Sequence, residues 1–479
     1  MNTTIMIVLF LYLAIVFITG HLAGRREVKG EEGFYTGDRE FGFWSTTMSA
    51  CATDSSGWVF IGACGWAFVA GASVLWMVPG FIVGYGLNWF LLGPKLRRQG
   101  KKIGALSVID FLNKRLDRDG NTIRIVGSIV VILFFIPYMA SQLTAAGKTI
   151  STIVGWDYNT CLVSGAIFVV AYCFLGGYRS VIWTDTVQGT LMLIVLGVFP
   201  IYLIASSGGF TSFFTQVAAM DPILVSPGAG ATGSALLGII VGYLFYGAAS
   251  IGQPHILQRF LSAKDSKTLR QGSIIATVWF NVMMVGSNIV GLAGRIRMPG
   301  IADPEYIFPA MVEASFHPII AGIVVGAIFA AIQSTYSSLL LVAVQAIASD
   351  LTNSFRREPL SEAGAVKLGR MTMVLLGVVS ILLAVANIDT VFLLVVYAWS
   401  VLGAAFGPLI MVLLLWPSSI NKWGAIAGMV VGALVTSIWY SAGLGKIVFE
   451  TCPGMIAAFA AIFIVSYLTR HIDKAPEKI

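Results

Sequence analysis

Oxygen-bearing side chains interrupt several otherwise apolar stretches of this chain. The first group is Ser49-Ala-Cys-Ala-Thr-Asp-Ser-Ser-Gly-Trp58, with Asp54 near its centre, hydroxyl groups on both sides and Gly57 shortly after. This composition favours an interrupted helix, in which freed backbone carbonyls and side-chain oxygens can meet a cation. The alternative is a buried aspartate that neighbouring hydroxyls or backbone amides satisfy. Because a carboxylate is costly in an apolar stretch, we favour the functional interpretation.

A second group of oxygens follows a helical spacing in Ala331-Ile-Gln-Ser-Thr-Tyr-Ser-Ser338. Residues at i, i+3 and i+4 lie on one face of a helix. Two overlapping triples have this spacing, namely Ala331, Ser334 and Thr335, and then Ser334, Ser337 and Ser338. Such oxygen sets suit one or two hard cations. Close packing of helices through small residues explains the same pattern equally well.

A second helix break is predicted in Tyr246-Gly-Ala-Ala-Ser-Ile-Gly-Gln-Pro-His255. Gly247, Gly252 and Pro254 all weaken a continuous helix there. Glycine and proline are common in membrane helices, so this break alone is weak evidence. Two interrupted spans, each opening a block of five, are typical of transporters built from inverted repeats.

Two further sites have competing interpretations. Asp185, in Trp183-Thr-Asp-Thr186, is a second carboxylate in an apolar stretch, and a helix N-terminus could stabilise it without any function. Tyr138 and Gln142 lie one helical turn apart. They could line a solute cavity or tie neighbouring helices together.

The composition shows what surrounds these residues. Of 479 residues, 57% are hydrophobic and 11% are charged, and the mean hydropathy is +0.85. Soluble domains carry about 25% charged residues, so we expect an all-α protein in a lipid bilayer. Thirteen spans are predicted, at approximately 4–22, 43–63, 68–92, 122–147, 158–175, 183–206, 233–253, 271–293, 317–347, 366–386, 390–416, 422–441 and 448–468.

The net charge of +7 does not indicate nucleic-acid binding, because the basic residues lie between apolar runs. One set of loops is rich in lysine and arginine, including 95–102, 114–118 and the group Arg259, Lys264, Lys267 and Arg270. The alternate loops carry only Lys148, Arg295, Arg297 and Lys446. This alternation predicts an extracellular N-terminus and a cytoplasmic C-terminus in the cell inner membrane.

The chain is predicted to form one transmembrane domain over residues 1–479. Spans two to six and seven to eleven would form inverted repeats at about 43–206 and 233–416, with one leading and two trailing helices. The five cysteines form no CxxC pair, and the four histidines match no zinc spacing. We expect no enzyme active site.

At these residues the chain resembles the sodium:solute symporter family, most closely its sodium/proline branch. The resemblance extends from about Tyr12 to Leu468. The stretches that carry it are Thr36-Gly-Asp-Arg-Glu-Phe-Gly42, Ala52-Thr-Asp-Ser-Ser-Gly-Trp58, Trp183-Thr-Asp-Thr-Val-Gln188, Gly252-Gln-Pro-His-Ile-Leu257, Ser334-Thr335, Tyr397-Ala-Trp399 and Gly403-Ala-Ala-Phe-Gly-Pro408.

The resemblance implies a five-plus-five inverted-repeat fold and a sodium-binding site. The sodium ligands would be the carbonyls of Ala52, Ser55 and Ala331 and the hydroxyls of Ser334 and Thr335. Asp54 matches an essential aspartate near that site. Some members bind a second sodium, whose ligands would be Asp185, Ser334, Ser337 and Ser338. Residues expected to contact the solute are Ser56, Gly57, Tyr138, Gln142, Tyr246, Ser250 and Pro254.

The expected function is sodium-coupled uptake of a small organic solute by alternating access. The proline branch has tryptophan and tyrosine where this chain has Tyr246 and Ser250. The solute could therefore be proline, a polar or larger amino acid, or another small carboxylate. A proton-coupled carrier is an alternative, because Asp54 could titrate. A channel is a more distant alternative, because no filter motif is present in the sequence.

Overall fold

The computed structural model describes residues 3–25, 30–356, 361–386, 389–473 and 475–476. Within those ranges the protein is helical, and its only β pairing is an isolated bridge between Phe41 and Ala263. A helix satisfies its own backbone hydrogen bonds, which lipid cannot do. The predicted all-α class is confirmed.

Twenty α-helices follow one another along the described chain. They are α1 Thr3–Gly24, α2 Gly30–Thr36, α3 Phe43–Phe60, α4 Gly62–Ala70, α5 Met77–Gly86, α6 Gly93–Lys102, α7 Val108–Leu116, α8 Thr122–Val154, α9 Tyr158–Ser206, α10 Phe210–Met220, α11 Gly233–Ala248, α12 Pro254–Ser262, α13 Ser266–Arg297, α14 Ile307–Ser315, α15 Pro318–Gln345, α16 Thr352–Phe355, α17 Glu362–Val385, α18 Val391–Leu415, α19 Lys422–Ser441 and α20 Thr451–Leu468.

Eleven helical segments of the described chain are long and apolar enough to cross a bilayer. Thirteen were predicted, and that exact number stays a prediction. The predicted spans 158–175 and 183–206 both fall within α9, whose helical geometry is interrupted at Gly177 (φ 57°, ψ −166°), so that two helical parts meet there. The predicted span 43–63 corresponds to α3, which is rich in hydroxyl groups and does not count among the eleven.

The outer surface of the bundle is apolar. On α1, Phe10, Leu11, Ile15 and Ile18 are all more than half exposed. By contrast, α15 and α18 are buried over most of their length. Apolar side chains that face outwards are stable only when lipid surrounds them, so this surface fits a multi-pass membrane protein.

Both predicted helix breaks are confirmed. Inside α3, Ser56 has φ 56° and ψ 174°, a region that residues other than glycine rarely adopt. Between α11 and α12, residues Ala249–Gly252 form a 3-10 turn, and the backbone of Gln253 is extended. Pro254 then begins α12, where its missing amide costs no hydrogen bond.

The two breaks lie in the interior because long helices surround them. α3 packs against α9, α13 and α15, and the turn Ala249–Gly252 packs against α18. Neither break contacts lipid, which could not satisfy its freed backbone groups. The inverted-repeat boundaries at 43–206 and 233–416 stay a prediction.

The close approach of the second break to α18 gives a stability prediction. A Cβ added at Gly252 would lie 2.4 Å from the Gly407 backbone nitrogen and 2.8 Å from the Gly403 carbonyl oxygen. Backbone atoms cannot move aside as a side chain can, so Gly252→Ala should cost about 1–3 kcal/mol of stability. Thermal melting of the detergent-purified variant measures this cost.

Gly86→Ala is the matched control, because nothing lies within 4 Å of the added methyl group. Its melting temperature should stay close to that of the wild type. Equal melting temperatures for the Gly252 and Gly86 variants would contradict this packing.

Candidate functional site

The break in α3 leaves backbone groups that side chains of α8 and α15 bind. The Gly57 amide donates to Gln142 Oε1 at 2.8 Å. The Thr53 carbonyl, which a continuous helix would pair with that amide, accepts from Thr335 Oγ1 at 2.7 Å. The Ala52 carbonyl accepts from Ser334 Oγ at 2.9 Å. Side chains from two other helices therefore hold the broken backbone in place.

Three of the five predicted sodium ligands meet at one point between α3 and α15. Ser334 Oγ lies 2.9 Å from the Ala52 carbonyl oxygen and 3.1 Å from the Ala331 carbonyl oxygen. Thr335 is the neighbouring residue, but its hydroxyl faces the Thr53 carbonyl. Ser55 is buried in the same turn, and its hydroxyl donates to the Cys51 carbonyl at 3.0 Å.

Carbonyl and hydroxyl oxygens are the groups that hard cations prefer. The donor set at Ala52, Ala331 and Ser334 therefore fits sodium, which would replace the two hydrogen bonds of the Ser334 hydroxyl. The individual ligands stay a prediction.

Asp54 points to a different partner. It is 3% exposed, and its Oδ2 accepts a hydrogen bond from the Tyr85 hydroxyl, while Oδ1 has no hydrogen-bond partner among the described residues. Sequence reasoning did not identify Tyr85, because it lies in the middle of an apolar run. Only the tertiary structure, which brings Tyr85 to Asp54, reveals this contact.

Asp185 lies in a compact polar cluster with residues of α3. Its Oδ2 accepts from Ser49 Oγ at 2.6 Å and from Thr53 Oγ1 at 3.3 Å. Thr53 Oγ1 also lies 2.9 Å from Ser338 Oγ, so this hydroxyl links Asp185 to α15. Asp185 and Ser338, two predicted ligands of a second sodium, thus lie in one cluster.

Arg259 joins the same cluster, which the sequence did not indicate. Its Nη2 lies 3.2 Å from Asp185 Oδ2 and also bonds Ser338 Oγ. Both charged side chains are 0% exposed. The sequence interpretation grouped Arg259 with cytoplasmic loop cations, and this was wrong because α12 carries it into the bundle. The second sodium site stays a prediction.

The remaining second-site residues bond mainly within their own helix. Ser337 Oγ donates to the Ser334 carbonyl at 3.1 Å, and Ser338 Oγ donates to the same carbonyl at 2.6 Å. Asp185 Oδ1 has no hydrogen-bond partner among the described residues. Asp185 Oδ1 is therefore the main oxygen of this cluster that could still bind a further group.

Aromatic rings connect the two helix breaks. The rings of Trp58, just after the first break, and Tyr246, just before the second, have centroids 5.9 Å apart. Trp399 lies beside them, 6.0 Å from the Tyr246 ring, and its Nε1 donates to the Tyr246 carbonyl at 2.9 Å. Phe392 stacks on Trp58 with centroids 6.0 Å apart. These rings can enclose the apolar part of a small solute.

The predicted solute residues fall into two groups. Ser56 and Gly57 lie at the first break, Tyr246 and Pro254 border the second, and the Tyr138 ring lies 6.0 Å from the ring of His255, the residue after Pro254. Gln142, however, is bonded to the Gly57 amide. Ser250 packs closely against α5. A Cβ atom added at Gly84 of α5 would lie 2.3 Å from the Ser250 hydroxyl oxygen. We therefore expect Gln142 and Ser250 to support the cavity wall.

Sequence reasoning left two buried polar groups unassigned. Trp58 Nε1 and both ring nitrogens of His255 have no hydrogen-bond partner among the described residues. His255 lies among Phe135, Tyr138 and Trp399, with ring centroids 5.7 to 6.4 Å away. The only signal in the sequence was that each residue lies in a stretch shared with the family. Such a stretch does not show where a ring nitrogen points.

Known proteins resemble this chain over nearly its whole length. It is 35% identical to the osmoregulated proline transporter OpuE of Bacillus subtilis, over 100% of this chain and 98% of that protein. It is also 35% identical to the high-affinity proline transporter PutP of the same organism, over 96% of this chain and 97% of that protein. The solved structure of a Na+-coupled sialic acid symporter superimposes with a TM-score of 0.82, at 21% identity over 99% of both chains.

The match to the family itself covers most of the chain. Residues 34–432 match the sequence model of the sodium:solute symporter family. This range includes the helix break at Ser56, the break before Pro254 and the oxygens around Ser334. The chain belongs to the sodium:solute symporter family.

Proposed function

We propose that this symporter carries proline or a closely related small amino acid together with sodium. The observation that carries the proposal is the meeting of α3 and α15 oxygens beside a pair of broken helices. The two relatives at 35% identity are proline transporters and match almost the entire chain. The chain would perform no chemical reaction on its cargo.

Sodium would bind between the Ala52, Ser55 and Ala331 carbonyls and the hydroxyls of Ser334 and Thr335. In that position the ion links the broken helix α3 to the buried helix α15. Because the Ser334 and Thr335 hydroxyls already contact the same backbone turn, the ion would need little rearrangement to bind. Such a link explains how ion binding could favour a particular arrangement of the bundle.

The solute would lie between the two breaks, against the rings of Trp58 and Tyr246. Both rings border a break, so their positions respond to any change in the backbone there. Asp54, on the same turn of α3, is paired to Tyr85 and would act as a functional carboxylate close to sodium. Closure of the bundle around solute and ion would then permit opening to the cytoplasm.

The energy available depends on how many sodium ions enter. One sodium moving down a potential of about 100 mV gains about 2.3 kcal/mol, and a tenfold gradient adds about 1.4 kcal/mol. One ion per neutral solute then supports roughly 500-fold accumulation, and two ions support roughly the square of that ratio.

Uptake into proteoliposomes tests the function. With an inward sodium gradient, radiolabelled proline should accumulate above its external concentration, because sodium entry supplies the energy. Replacing external sodium by choline at constant pH should abolish the accumulation.

Accumulation that persists in choline would contradict sodium coupling and indicate a proton-driven carrier. Sodium-dependent uptake of another amino acid or small carboxylate, without any of proline, would contradict only the solute. Flux that never exceeds equilibration would indicate a channel.

Ser334→Ala tests the ion site. The substitution removes one hydroxyl ligand from the place where the Ala52 and Ala331 carbonyls meet. A bond to a charged group contributes about 1.5–3 kcal/mol, so the half-saturating sodium concentration should rise roughly 10- to 150-fold. Sodium titration of proline uptake measures the shift.

Ser287→Ala is the matched control, because Ser287 is also buried and its hydroxyl donates to a carbonyl three residues earlier on α13. Its sodium dependence should match the wild type. An unchanged sodium affinity in Ser334→Ala would contradict the proposed ligand set.

We propose that the protein lies in the inner membrane with its N-terminus outside the cell membrane and its C-terminus in the cytoplasm. Basic side chains of the segment 93–102 and of Lys264 lie together at one end of the bundle, as cytoplasmic residues would. A C-terminal green fluorescent protein fusion should fluoresce, and alkaline phosphatase inserted after Ser226 should be active in a bacterial host. The opposite pattern would contradict this orientation.

A further inference from the structure

A concave cluster of basic side chains lies where α6 ends and α13 begins. This basic groove has a volume of about 320 Å³, and all but one of its lining residues are charged. The charged residues are Arg97, Arg98, Lys101, Lys102, Lys264 and Asp265. Five positive charges and one negative charge leave the groove with a net charge of +4.

Hydrogen bonds fix the two sides of the basic groove to each other. Arg97 is 2% exposed, and its guanidinium donates from Nε to the Ala263 carbonyl and from Nη2 to the Lys264 carbonyl, the latter at 2.8 Å. Ser266 Oγ donates to the Pro94 carbonyl at 2.9 Å. The turn between α12 and α13 is therefore held against α6, and cations of both segments stay close together although they repel one another.

The remaining cations of the groove are exposed, and none of them forms an ion pair with a carboxylate of the described residues. They are Arg98, Lys101, Lys102 and Lys264. The one carboxylate, Asp265, accepts a hydrogen bond from the Thr268 amide at 2.8 Å and caps α13. An anion that binds among these cations would relieve their mutual repulsion.

The basic groove lies at the end of two segments that can cross a membrane. Lys102 ends one of these segments and Ser266 begins another. From Ser266, the exposed residues Arg270, Ile274 and Val278 follow on α13 at four-residue intervals, on one side of the helix. Ile274 lies about 12 Å along α13 from Ser266. The surface of α13 thus changes from cationic to apolar, as the surface of a phospholipid molecule does from its headgroup to its acyl chains.

We propose that the basic groove binds the phosphate headgroup of an anionic phospholipid, whose acyl chains lie along the exposed side of α13. Lysine and arginine clusters beside a membrane helix recognise such headgroups. In the proposed orientation the lipid belongs to the cytoplasmic leaflet. This binding site is separate from the sodium and solute positions and does not depend on the identity of the solute.

The groove differs from an ordinary basic loop. Basic loops are common on the cytoplasmic side because they set the orientation of membrane proteins. Here a buried arginine, Arg97, joins two segments that lie far apart in the chain, so that their exposed cations line a single concave surface. A lipid headgroup in this position contacts α6 and the turn after α12 together. It should therefore stabilise the folded protein, because a ligand that binds only the folded state raises the melting temperature.

Lipid titration of the full chain tests the proposal without any transport. The delipidated protein in neutral detergent is titrated with palmitoyl-oleoyl phosphatidylglycerol, with palmitoyl-oleoyl phosphatidylcholine and with inorganic phosphate. Native mass spectrometry counts the bound molecules, and melting curves follow stability. Phosphatidylglycerol should bind at least about tenfold more tightly than phosphatidylcholine, because the acyl chains are the same and only the net charge differs. Inorganic phosphate at the same concentration should not shift the melting temperature.

A triple variant locates the bound lipid. Lys101→Gln, Lys102→Gln and Lys264→Gln together remove three exposed cations from the groove and leave the bonds of Arg97 in place. Each cation near a membrane surface contributes about a factor of five to the binding of anionic lipid, so phosphatidylglycerol should bind roughly 100-fold more weakly. Its stabilising effect on the melting temperature should disappear.

The matched control removes the same net charge from scattered positions. Arg25, Arg356 and Lys367 are exposed cations on the side predicted to be cytoplasmic, and none of them lines the groove. The triple variant Arg25→Gln, Arg356→Gln and Lys367→Gln should bind phosphatidylglycerol as tightly as the wild type. Size-exclusion profiles show that both triple variants are folded.

Equal binding of the two lipids by the wild type would overturn the proposal, whether or not any variant folds. Equal losses in both triple variants would overturn it too, because they would indicate attraction to the overall charge. Inorganic phosphate that stabilises the wild type as well as phosphatidylglycerol would indicate a soluble anion in place of a lipid. If the groove variant does not fold, salt decides: the stabilisation of the wild type by phosphatidylglycerol should fade between about 0.1 M and 1 M potassium chloride, and stabilisation that persists overturns the proposal.

Discussion

The structure depends on a helix break whose freed backbone groups cannot form hydrogen bonds with water. At Ser56 the chain leaves helical geometry, and the Ala52 and Thr53 carbonyls accept hydrogen bonds from Ser334 and Thr335. An unsatisfied carbonyl in the interior costs several kcal/mol, on the order of the whole contribution of a well-packed side chain. Two hydroxyls one residue apart on α15 meet this need. The same oxygens are what a sodium ion requires, so the solution of a folding problem also provides a candidate ion site.

Buried charges extend this principle to both sides of the break. On one side of the break, Arg259 and Asp185 form a buried ion pair that is surrounded by hydroxyl groups. On the other side, Lys148 Nζ lies 2.6 Å from Glu305, whose carboxylate accepts hydrogen bonds from the backbone amides of Val391 and Phe392. Those amides begin α18, where a carboxylate is stabilised. Because the Phe392 ring stacks on Trp58, this charged cluster connects directly to the aromatic rings beside the solute position.

Local chemistry explains why the class of the protein and both helix breaks could be predicted. Long apolar runs can only be helices in lipid, and a cluster of glycine, proline or hydroxyl-bearing residues favours an interruption of such a helix. The spacing of Ser334 and Thr335 also predicts a shared helical face. The boundary predicted between the spans 158–175 and 183–206 falls close to Gly177, where the helical geometry of the segment Tyr158–Ser206 is interrupted.

Partners far apart in the chain could not be predicted. Tyr85 pairs with Asp54, and Gln142 bonds the Gly57 amide. In soluble proteins the alternation of apolar and polar residues shows which face of a helix is buried. In this chain the lipid-facing and interior faces are both apolar, so that signal is missing.

By itself the sequence determined that this is a polytopic membrane protein, where its helices break and which oxygen-rich segments could hold a cation. Those features follow from the solvent and from bonds within a few residues. Only the tertiary structure decided which oxygens meet, that Ser250 lies against α5, and that Arg259 is a buried counter-ion of Asp185 and not a loop cation. These contacts join residues 74 or more positions apart, and their geometry is set by how whole helices pack.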